Sequence, residues 1–359
     1  MDKSEKTAAK YLVGTCTAMC PKEEMLLREK ERLLHAYEMK TGTENDRYPQ
    51  ADPDKTVKAF RRSAAGNKMD RSELRPFPVL LKTIQYLFTE IFPRQSDDPL
   101  KVYNFMFDRL RSVRQDMVIQ NLTAFECVYI LEPITRFHIY FGYILVGEKG
   151  LDFDPFINNT HLQECLKRLL VCYDESETDI VNSLSQLSVS TNYYKNRQEI
   201  EAAYLLFNLS HIEAMTRGAK LTEAYLKKEI LELSFAWYLK NFVRAFRLLK
   251  HLSPLLLCVF SSSLPEIRKQ SLEAFSQAFN SPNSAYPVSH LRNLLLYEDE
   301  SELIEDCKHF NIKVTDNNVN FSKKEFNTSA KSKKFKRLSW IDELLLKSDL
   351  VKMLCFGFE

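Results

Sequence analysis

Apolar residues recur every three to four positions along most of the chain, which is the spacing of a helix with one buried face. A clear example runs from Pro76 to about Phe92, with Leu80, Ile84 and Leu87 on one side. Similar runs predict helices at 21–39, 124–146, 161–173, 198–209, 222–237, 238–251, 254–260 and 264–279. Short helices in succession are typical of antiparallel pairs in a helical-repeat array, although the sequence shows no regular period.

One helix, predicted from Tyr103 to Asn121, breaks the usual separation of apolar and charged faces. Arg114 lies in the middle of its apolar face, and Phe105 lies among its charged residues. This pattern predicts a helix buried on most sides, with Arg114 paired to a carboxylate or to carbonyls of a neighbouring helix. The alternative is that Arg114 reaches solvent past its aliphatic stem. The residues predicted to act as structural ion-pair anchors are Arg109, Arg114 and Asp116.

The pattern changes near Tyr286, where two short helices are followed by alternating apolar and polar residues. Helices predicted at 288–296 and 302–310 flank a turn at 299–301, and the alternating runs 312–316 and 319–322 flank Asn317-Asn318. An Asn-rich turn between alternating runs predicts a β-hairpin. Helix, turn, helix and hairpin predict a winged-helix module over 286–325, a kind of module that can dock its second helix in DNA. That helix begins with acidic residues that repel phosphate, which favours docking to a protein over reading a duplex.

A basic run follows the hairpin. It predicts a nuclear import signal, a nucleic-acid patch or a solvated linker, and the sequence leaves these alternatives open. Beyond a basic linker at 326–339, an amphipathic helix at 340–355 either packs back on the body or serves a partner. The candidate residues for binding a partner or nucleic acid are Lys313, Lys323, Lys324, Lys331, Lys333, Lys334, Lys336 and Arg337.

Composition narrows the class of protein. Only 8 glycines in 359 residues disfavour long sheets and glycine-rich phosphate loops, and a net charge of +2 says little about partners. The 8 cysteines are scattered through mostly apolar helical runs, as expected for reduced thiols inside a cell. The polar start does not form a signal peptide, and no apolar run reaches the ~18 residues of a membrane span. We expect a protein of the cytoplasm or nucleus that is neither secreted nor bound to a membrane.

The sequence offers no recognisable catalytic set. It lacks a phosphate loop, a nucleophile elbow, a His-Glu metal motif and a paired acid cluster. Cys16 and Cys20, with His35, raise the possibility of zinc, but no second ligand pair follows at a usual spacing, so buried thiols are expected. His138 lies among aromatic residues and is expected to be a hydrogen-bonded core residue. We therefore predict no enzyme activity, no catalytic residues, no metal, no cofactor and no small-molecule substrate.

Six blocks of sequence, in order, resemble the Sac/GANP family, in which GANP stands for germinal-centre-associated nuclear protein. The resemblance covers roughly residues 14–330 and is closest to the short branch of the family. The blocks are GTCTAMCPKEE (14–24), LRPFPVLLKTIQYL (74–87), FMFDRLRSVRQD (105–116), TRFHI (135–139), NFVR (241–244) and LLLYEDESELIEDCKHFNIKVTDNNVNFSK (294–323).

The resemblance implies a mainly α-helical fold of the PCI type, in which a helical-repeat body is followed by a small winged-helix module with a β-hairpin. The expected segments are a tail (1–13), an N-terminal helix with a connector that crosses the surface (14–75), the helical-repeat body (76–285), the winged helix (286–325), the basic linker (326–339) and the C-terminal helix (340–359). The connector is expected to contain one short helix near Lys55–Arg62.

The resemblance also implies a non-catalytic scaffold with protein partners. Large members organise the TREX-two complex for mRNA export, in which the winged helix pairs with a second PCI-type protein and a small acidic subunit, and a joint basic surface binds RNA. The short branch is associated with centrosome duplication and spindle assembly. We therefore expect a scaffold at the centrosome and spindle, in the cytoplasm, with nuclear mRNA export and binding of RNA or DNA as the alternative.

Overall fold

The computed structural model of the chain describes residues 12–62, 70–147, 153–183, 195–281 and 284–356. Most of these residues form α-helices, so the mainly helical fold class predicted from the apolar spacing is confirmed. The helices up to the C-terminal module are α1 (Lys22–Lys30), α2 (Phe77–Tyr86), α3 (Pro99–Ile119), α4 (Ala124–Ile144), α5 (Pro155–Ser183), α6 (Arg197–Phe207), α7 (Ile212–Lys220), α8 (Lys228–Tyr238), α9 (Phe242–Leu249), α10 (Pro254–Ser261) and α11 (Leu264–Ala278).

Helix α4 lies at the centre of the core. It packs against α2, α3, α5 and α10 and is buried over most of its length. A capping box starts it: the Glu126 amide donates to Thr123 Oγ1 at 3.3 Å, and the Thr123 amide donates to Glu126 Oε2 at 2.9 Å. Tyr103 of α3 stacks on Phe137 of α4 with ring centroids 5.5 Å apart. A helix enclosed on most sides has few polar positions, which explains the long apolar run in its sequence.

Helices α5 to α9 pack on one another in chain order, and α10 returns to pack on both α4 and α6. The turn between α8 and α9 is made by Lys240, which has a left-handed backbone (φ 58°), and by Asn241, whose side chain accepts from the Arg244 amide at 3.2 Å. Helix α9 therefore starts later than the sequence predicted, and α8 also starts later, at Lys228 rather than at residue 222. Helix α7 was not predicted, because its nine residues present only a short apolar face.

The N-terminal segment differs from its prediction. Helix α1 ends at Lys30 rather than near Met39, and Arg32 follows with a left-handed backbone (φ 57°). Of the apolar residues expected on its buried side, Leu26, Leu27 and Leu33 are exposed, whereas Glu24 and Arg28 are buried. The predicted short helix near 55–62 is also wrong, because residues 56–62 have no helical structure and lie along α3. The reason in both cases is that this segment packs through charged groups, which helical periodicity does not count.

The C-terminal module contains three short strands and two helices: β1 (Tyr286–Pro287), α12 (Val288–Leu294), α13 (Glu300–His309), β2 (Lys313–Thr315) and β3 (Asn318–Asn320). The strands are antiparallel in the order β1-β3-β2, with Val314 opposite Val319. The predicted hairpin is confirmed, although its turn lies at Asp316 and Asn317, one residue earlier than expected. Both have positive φ (50° and 59°), as a two-residue turn of this hand requires. Leu291, together with the β3 residue Val319, belongs to the buried core.

The chain ends in two helices, α14 (Ser339–Leu346) and α15 (Leu350–Phe356), so the prediction of one helix at 340–355 is wrong. Asp349, just before α15, accepts from the Lys352 amide at 3.0 Å and so caps a new helix there. Helix α14 packs on α10, and α15 packs on α4. The Tyr143 hydroxyl donates to Asp342 Oδ1 at 2.8 Å and joins α14 to the body. Of the two alternatives left open by the sequence, the described residues show packing on the body.

Candidate functional site

Buried ion pairs fasten the segment before α2 to helix α3. The Asp116 carboxylate of α3 accepts from Lys58 Nζ at 2.6 Å and from Arg75 Nε at 2.7 Å, and all three side chains are almost fully buried. Arg75 Nη2 also donates to Ser112 Oγ at 2.9 Å. Two cations around one carboxylate satisfy its charge without water, so this cluster can hold the segment in a fixed position. We call Lys58, Arg75 and Asp116 the Asp116 cluster.

A second buried cluster lies beside it. Glu38 Oε2 accepts from Arg28 Nη1 at 2.8 Å and from Arg109 Nη2 at 3.0 Å, and Glu38 Oε1 accepts from the Val57 amide at 3.0 Å. Burial by itself raises the pKa of Glu38, but the two guanidinium groups outweigh it and hold that pKa below its usual value. Arg109 thus joins α3 to a carboxylate 71 residues earlier in the chain.

The depressed pKa of Glu38 predicts acid sensitivity. Because the folded-state pKa lies below the unfolded value of about 4.5, its stabilising effect is complete above that value and is lost as the pH falls through the folded pKa. We expect the melting temperature to fall on acidification below about pH 4.5, and the Glu38→Gln protein to lose part of this dependence. Thermal unfolding followed by circular dichroism from pH 7 to pH 3 measures it. Glu325→Gln removes an exposed paired carboxylate as control, and an identical acid limb in wild type and Glu38→Gln would contradict the prediction.

Arg114 forms a different kind of pair. Its Nη2 lies 3.0 Å from Glu164 Oε2 of α5, and its Nη1 lies 3.1 Å from His161 Nδ1. The Arg114 side chain is 20% exposed and the Glu164 side chain is 53% exposed. A pair this accessible contributes at most about 1 kcal/mol. Arg114 therefore has the partner on a neighbouring helix that the sequence predicted, but the deeply buried ions of α3 are Arg109 and Asp116.

Another charged cluster joins α4 to α6. Arg136 of α4 is fully buried, with Nε at 2.7 Å from Glu199 Oε2 and Nη2 at 3.3 Å from Glu132 Oε2. The Tyr173 hydroxyl of α5 donates to Glu132 Oε1 at 2.5 Å. Arg136 therefore connects α4 to α6, and its partner Glu132 connects α4 to α5.

The sequence did not identify Glu38, Lys58, Arg75 or Arg136 as members of these clusters. Arg75 was quoted only within the block 74–87, and Arg136 only within 135–139. Apart from the pair of Arg136 with Glu132 on the same helix and that of Glu38 with Arg28, their partners lie tens of residues away, so periodicity within one helix cannot identify the clusters. One signal could have identified them. Several arginines lie within otherwise apolar blocks of sequence, and such arginines need carboxylates from other parts of the chain when they are buried.

The structure separates the eight basic residues predicted as an interface. Lys313 lies 3.0 Å from Glu325, Lys333 lies 2.8 Å from Asp306, and Arg337 lies 3.0 Å from Asp342. Among the described residues the other five form no ion pair within 4 Å, and all five are exposed; they are Lys323, Lys324, Lys331, Lys334 and Lys336. Three of the eight positive charges are therefore compensated within the chain.

The acidic helix α13 is partly covered by the segment predicted as a basic linker. Besides the Lys333 pair with Asp306, His309 Nε2 lies 2.8 Å from the Lys331 carbonyl oxygen. Leu338 and Phe326 at the two ends of this segment are buried. The segment 326–339 is thus packed along the module, with Lys333 paired to α13 and Lys331, Lys334 and Lys336 exposed.

A strip of exposed apolar side chains runs along α7 and the end of α8. Ile212 is 66% exposed and Leu239 is 71% exposed, with Phe235 and Tyr238 between them at 39% and 48%. Ile212, Phe235 and Tyr238 line an open groove of about 410 Å³, which is floored by Met215. Contiguous exposed apolar surface of this kind is typical of sites where another protein binds. We call Ile212, Phe235, Tyr238 and Leu239 the α7–α8 strip.

The remaining candidate chemical groups, the cysteines and His138, lie in environments typical of structural residues. All eight cysteines are free thiols, and burial raises the pKa of Cys20 to about 12. His138 is buried, and its Nδ1 lies 2.9 Å from Asn158 Oδ1. Among the residues that the structure describes, no three His, Cys, Asp or Glu side chains are grouped so as to hold a metal ion. Within the same ranges, no helix combines the length and the apolar character needed to cross a bilayer.

Comparison with known proteins gives consistent matches. The model of a family described as the SAC3/GANP family matches residues 19–316. Protein xmas of Drosophila melanogaster is 27% identical over 319 residues, which cover 84% of this chain and 15% of that protein. SAC3 family protein 1 of Schizosaccharomyces pombe is 26% identical over 337 residues, which cover 89% of this chain and 32% of that protein. SAC3 family protein B of Arabidopsis thaliana is 26% identical over 321 residues, which cover 84% of this chain and 18% of that protein. The chain thus spans less than a third of the length of these relatives.

Proposed function

The chain belongs to the SAC3/GANP family, and from this premise we propose that it is a non-catalytic scaffold whose helical body and C-terminal module bind other proteins. In this proposal the body is of the PCI type and residues 286–325 act as a winged helix. The order of β1, α12, α13, β2 and β3 in one small unit supports the second interpretation.

The observation that carries the proposal is the α7–α8 strip. It lies inside the region matched by the family model, and no described residue covers Ile212 or Leu239, which remain largely exposed. The helices behind it are fixed by the buried core, so the strip is presented on a rigid support. Rigid apolar surface with a polar surround is what a scaffold offers to a partner.

Nuclear mRNA export is the setting we propose. The resemblance to the large family members supports it, and the partners would then be a second PCI-type protein and a small acidic subunit. The five exposed lysines on the segment 323–336 would contribute to an RNA surface, while the acidic α13 would face protein. The centrosome and spindle setting expected from the short branch has no observation here in its favour and stays a prediction, as does the choice between nucleus and cytoplasm.

We expect Ile212→Glu with Leu239→Glu to reduce recovery of the principal protein partners about tenfold, because each change places a charge in an apolar contact. Both side chains are exposed, so the melting temperature should stay that of the wild type. The measurement is quantitative mass spectrometry of proteins that copurify with the tagged full chain from dividing cells. The identity of those proteins separates an export complex from centriolar and spindle proteins.

Leu346→Glu is the matched control, because Leu346 is 83% exposed on α14, away from the strip. Equal recovery of partners with the double variant and with wild type would overturn the role of the strip. Recovery of no stable protein partner by the wild-type chain would overturn the scaffold itself.

A further inference from the structure

A cavity of about 370 Å³ lies where the first turns of α6, α8 and α10 meet. Its rim carries the side chains of Lys195, Lys227 and His251, and Ile230 and Leu256 contribute apolar wall. The volume is within the range of sites for small ligands. The cavity lies outside the α7–α8 strip, with which it shares no lining residue.

The lining of this cavity has an excess of positive charge. Lys195 and Lys227 are exposed, and neither forms an ion pair with a described residue within 4 Å. Among the described residues that line it, Glu199 is the one acidic side chain, and its Oε2 is held at 2.7 Å by Nε of the buried Arg136. Because the charge of Glu199 is already compensated by Arg136, no acidic side chain among the described lining residues remains to compensate the two ammonium groups.

The positions of the lysines add to this imbalance. Lys227 is the N-cap residue of α8, and Lys195 immediately precedes Asn196, the N-cap residue of α6. Cations are unfavourable at a helix N-terminus, where the helix dipole is positive and acidic residues are preferred. Each helix carries one acidic residue in its first turn, Glu199 in α6 and Glu229 in α8, and Glu199 is already paired with Arg136. An anionic ligand at the start of these two helices would therefore add charge of the sign that their dipoles favour.

We propose that this cavity binds a small soluble polyphosphate, such as a nucleoside polyphosphate or an inositol polyphosphate. Two ammonium groups at the starts of α6 and α8 match an anion with two or more phosphates, and His251 adds a third donor at the rim. A volume of about 370 Å³ admits a small molecule but not a nucleic-acid duplex. The site does not depend on the proposed scaffold function, since it uses none of the residues of the α7–α8 strip.

Isothermal titration of the full chain with inorganic tripolyphosphate, at constant ionic strength set with sodium chloride, tests the site. We expect saturable binding with one ligand per chain. Lys195→Ala with Lys227→Ala should weaken it about tenfold or more, because both charge-assisted contacts are removed. Lys228→Ala is the matched control: it deletes an equally exposed lysine one residue further on that does not line the cavity, and binding should be retained.

Absence of saturable binding would overturn the proposal, and so would equal weakening in Lys228→Ala, which would indicate diffuse ionic attraction. Single-stranded RNA is the comparison ligand. If the double variant loses RNA binding while the wild type does not bind tripolyphosphate, the two lysines belong to an RNA surface and the proposal is wrong. Competition of tripolyphosphate by inositol hexakisphosphate or by ATP then distinguishes the two classes of polyphosphate.

Discussion

Asp116→Asn is expected to lower the free energy of unfolding by about 3–5 kcal/mol, because it leaves the buried cations of Lys58 and Arg75 without a counter-charge. The substitution preserves volume, so the loss reports charge rather than packing. Both cations are almost fully buried, at 1% and 0% exposure, and water cannot replace the carboxylate. Equilibrium unfolding in urea measures the change as a shift of the midpoint.

Glu164→Gln is the control for this experiment. It removes the same type of charge from an ion pair of similar length, the one with Arg114 at 3.0 Å, but on an exposed side chain. A loss of about 1 kcal/mol or less is expected for it. If Asp116→Asn were no more destabilising than Glu164→Gln, the Asp116 cluster would not be holding the N-terminal segment in place.

Arg136→Met should have an effect of similar size, about 3–5 kcal/mol, for the opposite reason: it leaves the carboxylates of Glu132 and Glu199 without their guanidinium. Methionine fills much of the same volume, so a cavity contributes little. Removing the charge of one partner of a buried ion pair is expected to lower the free energy of unfolding more than removing the charges of both partners. The double variant Arg136→Met with Glu199→Gln should therefore recover about 1 kcal/mol or more relative to Arg136→Met alone.

Arg337→Met provides the comparison for an exposed pair, because Arg337 is 41% exposed and lies 3.0 Å from Asp342. A change of about 1 kcal/mol or less is expected. Urea unfolding of five proteins in one buffer gives the set: wild type, Arg136→Met, Glu199→Gln, the double variant and Arg337→Met. Additive losses in the double variant would show that Arg136 and Glu199 are not coupled, contrary to the 2.7 Å contact between them.

Where structure depends on near neighbours, the sequence predicted it closely. The hairpin is one case: alternating residues around Asp316 and Asn317 fix both the turn and the pairing of Val314 with Val319. Helix α4 is another, predicted to within two residues because Thr123 and Glu126 form a capping box directly before an apolar run. In both, the deciding interactions lie within a few residues of one another.

Where partners are distant, the same reasoning failed. Leu26, Leu27 and Leu33 were expected on the buried side of the helix predicted at 21–39, yet each is about half or more exposed. The side that is buried carries Glu24 and Arg28, since Arg28 meets Glu38 ten residues later and the Val57 carbonyl 29 residues later. For the candidate site, Arg109, Arg114 and Asp116 were identified on α3, but their partners were not, because nothing local specifies them.

The basic run illustrates a second limit. The sequence offered all the basic residues from Lys323 to Arg337 as candidates for binding a partner or nucleic acid, but the fold places Asp306 against Lys333 and Asp342 against Arg337. Whether a lysine is available to a partner depends on which acidic residues the fold brings beside it. The converse holds for Lys195 and Lys227. Nothing in the sequence singles them out, and they line one cavity only because α6 and α8 pack together.

The clusters that join residues 14–75 to α3 also affect the order in which segments of the chain can fold during translation. The Gly14 amide donates to Gln120 Oε1 at 2.8 Å, and a side chain at Gly14 would overlap the Leu74 carbonyl, so this contact needs α3 already in place. Domains usually form from the N-terminal end as it leaves the ribosome. Here residues 14–75 leave the ribosome before α3 and have to remain hydrated and unpaired until Asp116 and Gln120 have followed them, so within this region the residues synthesised earlier are not the first to reach their final positions.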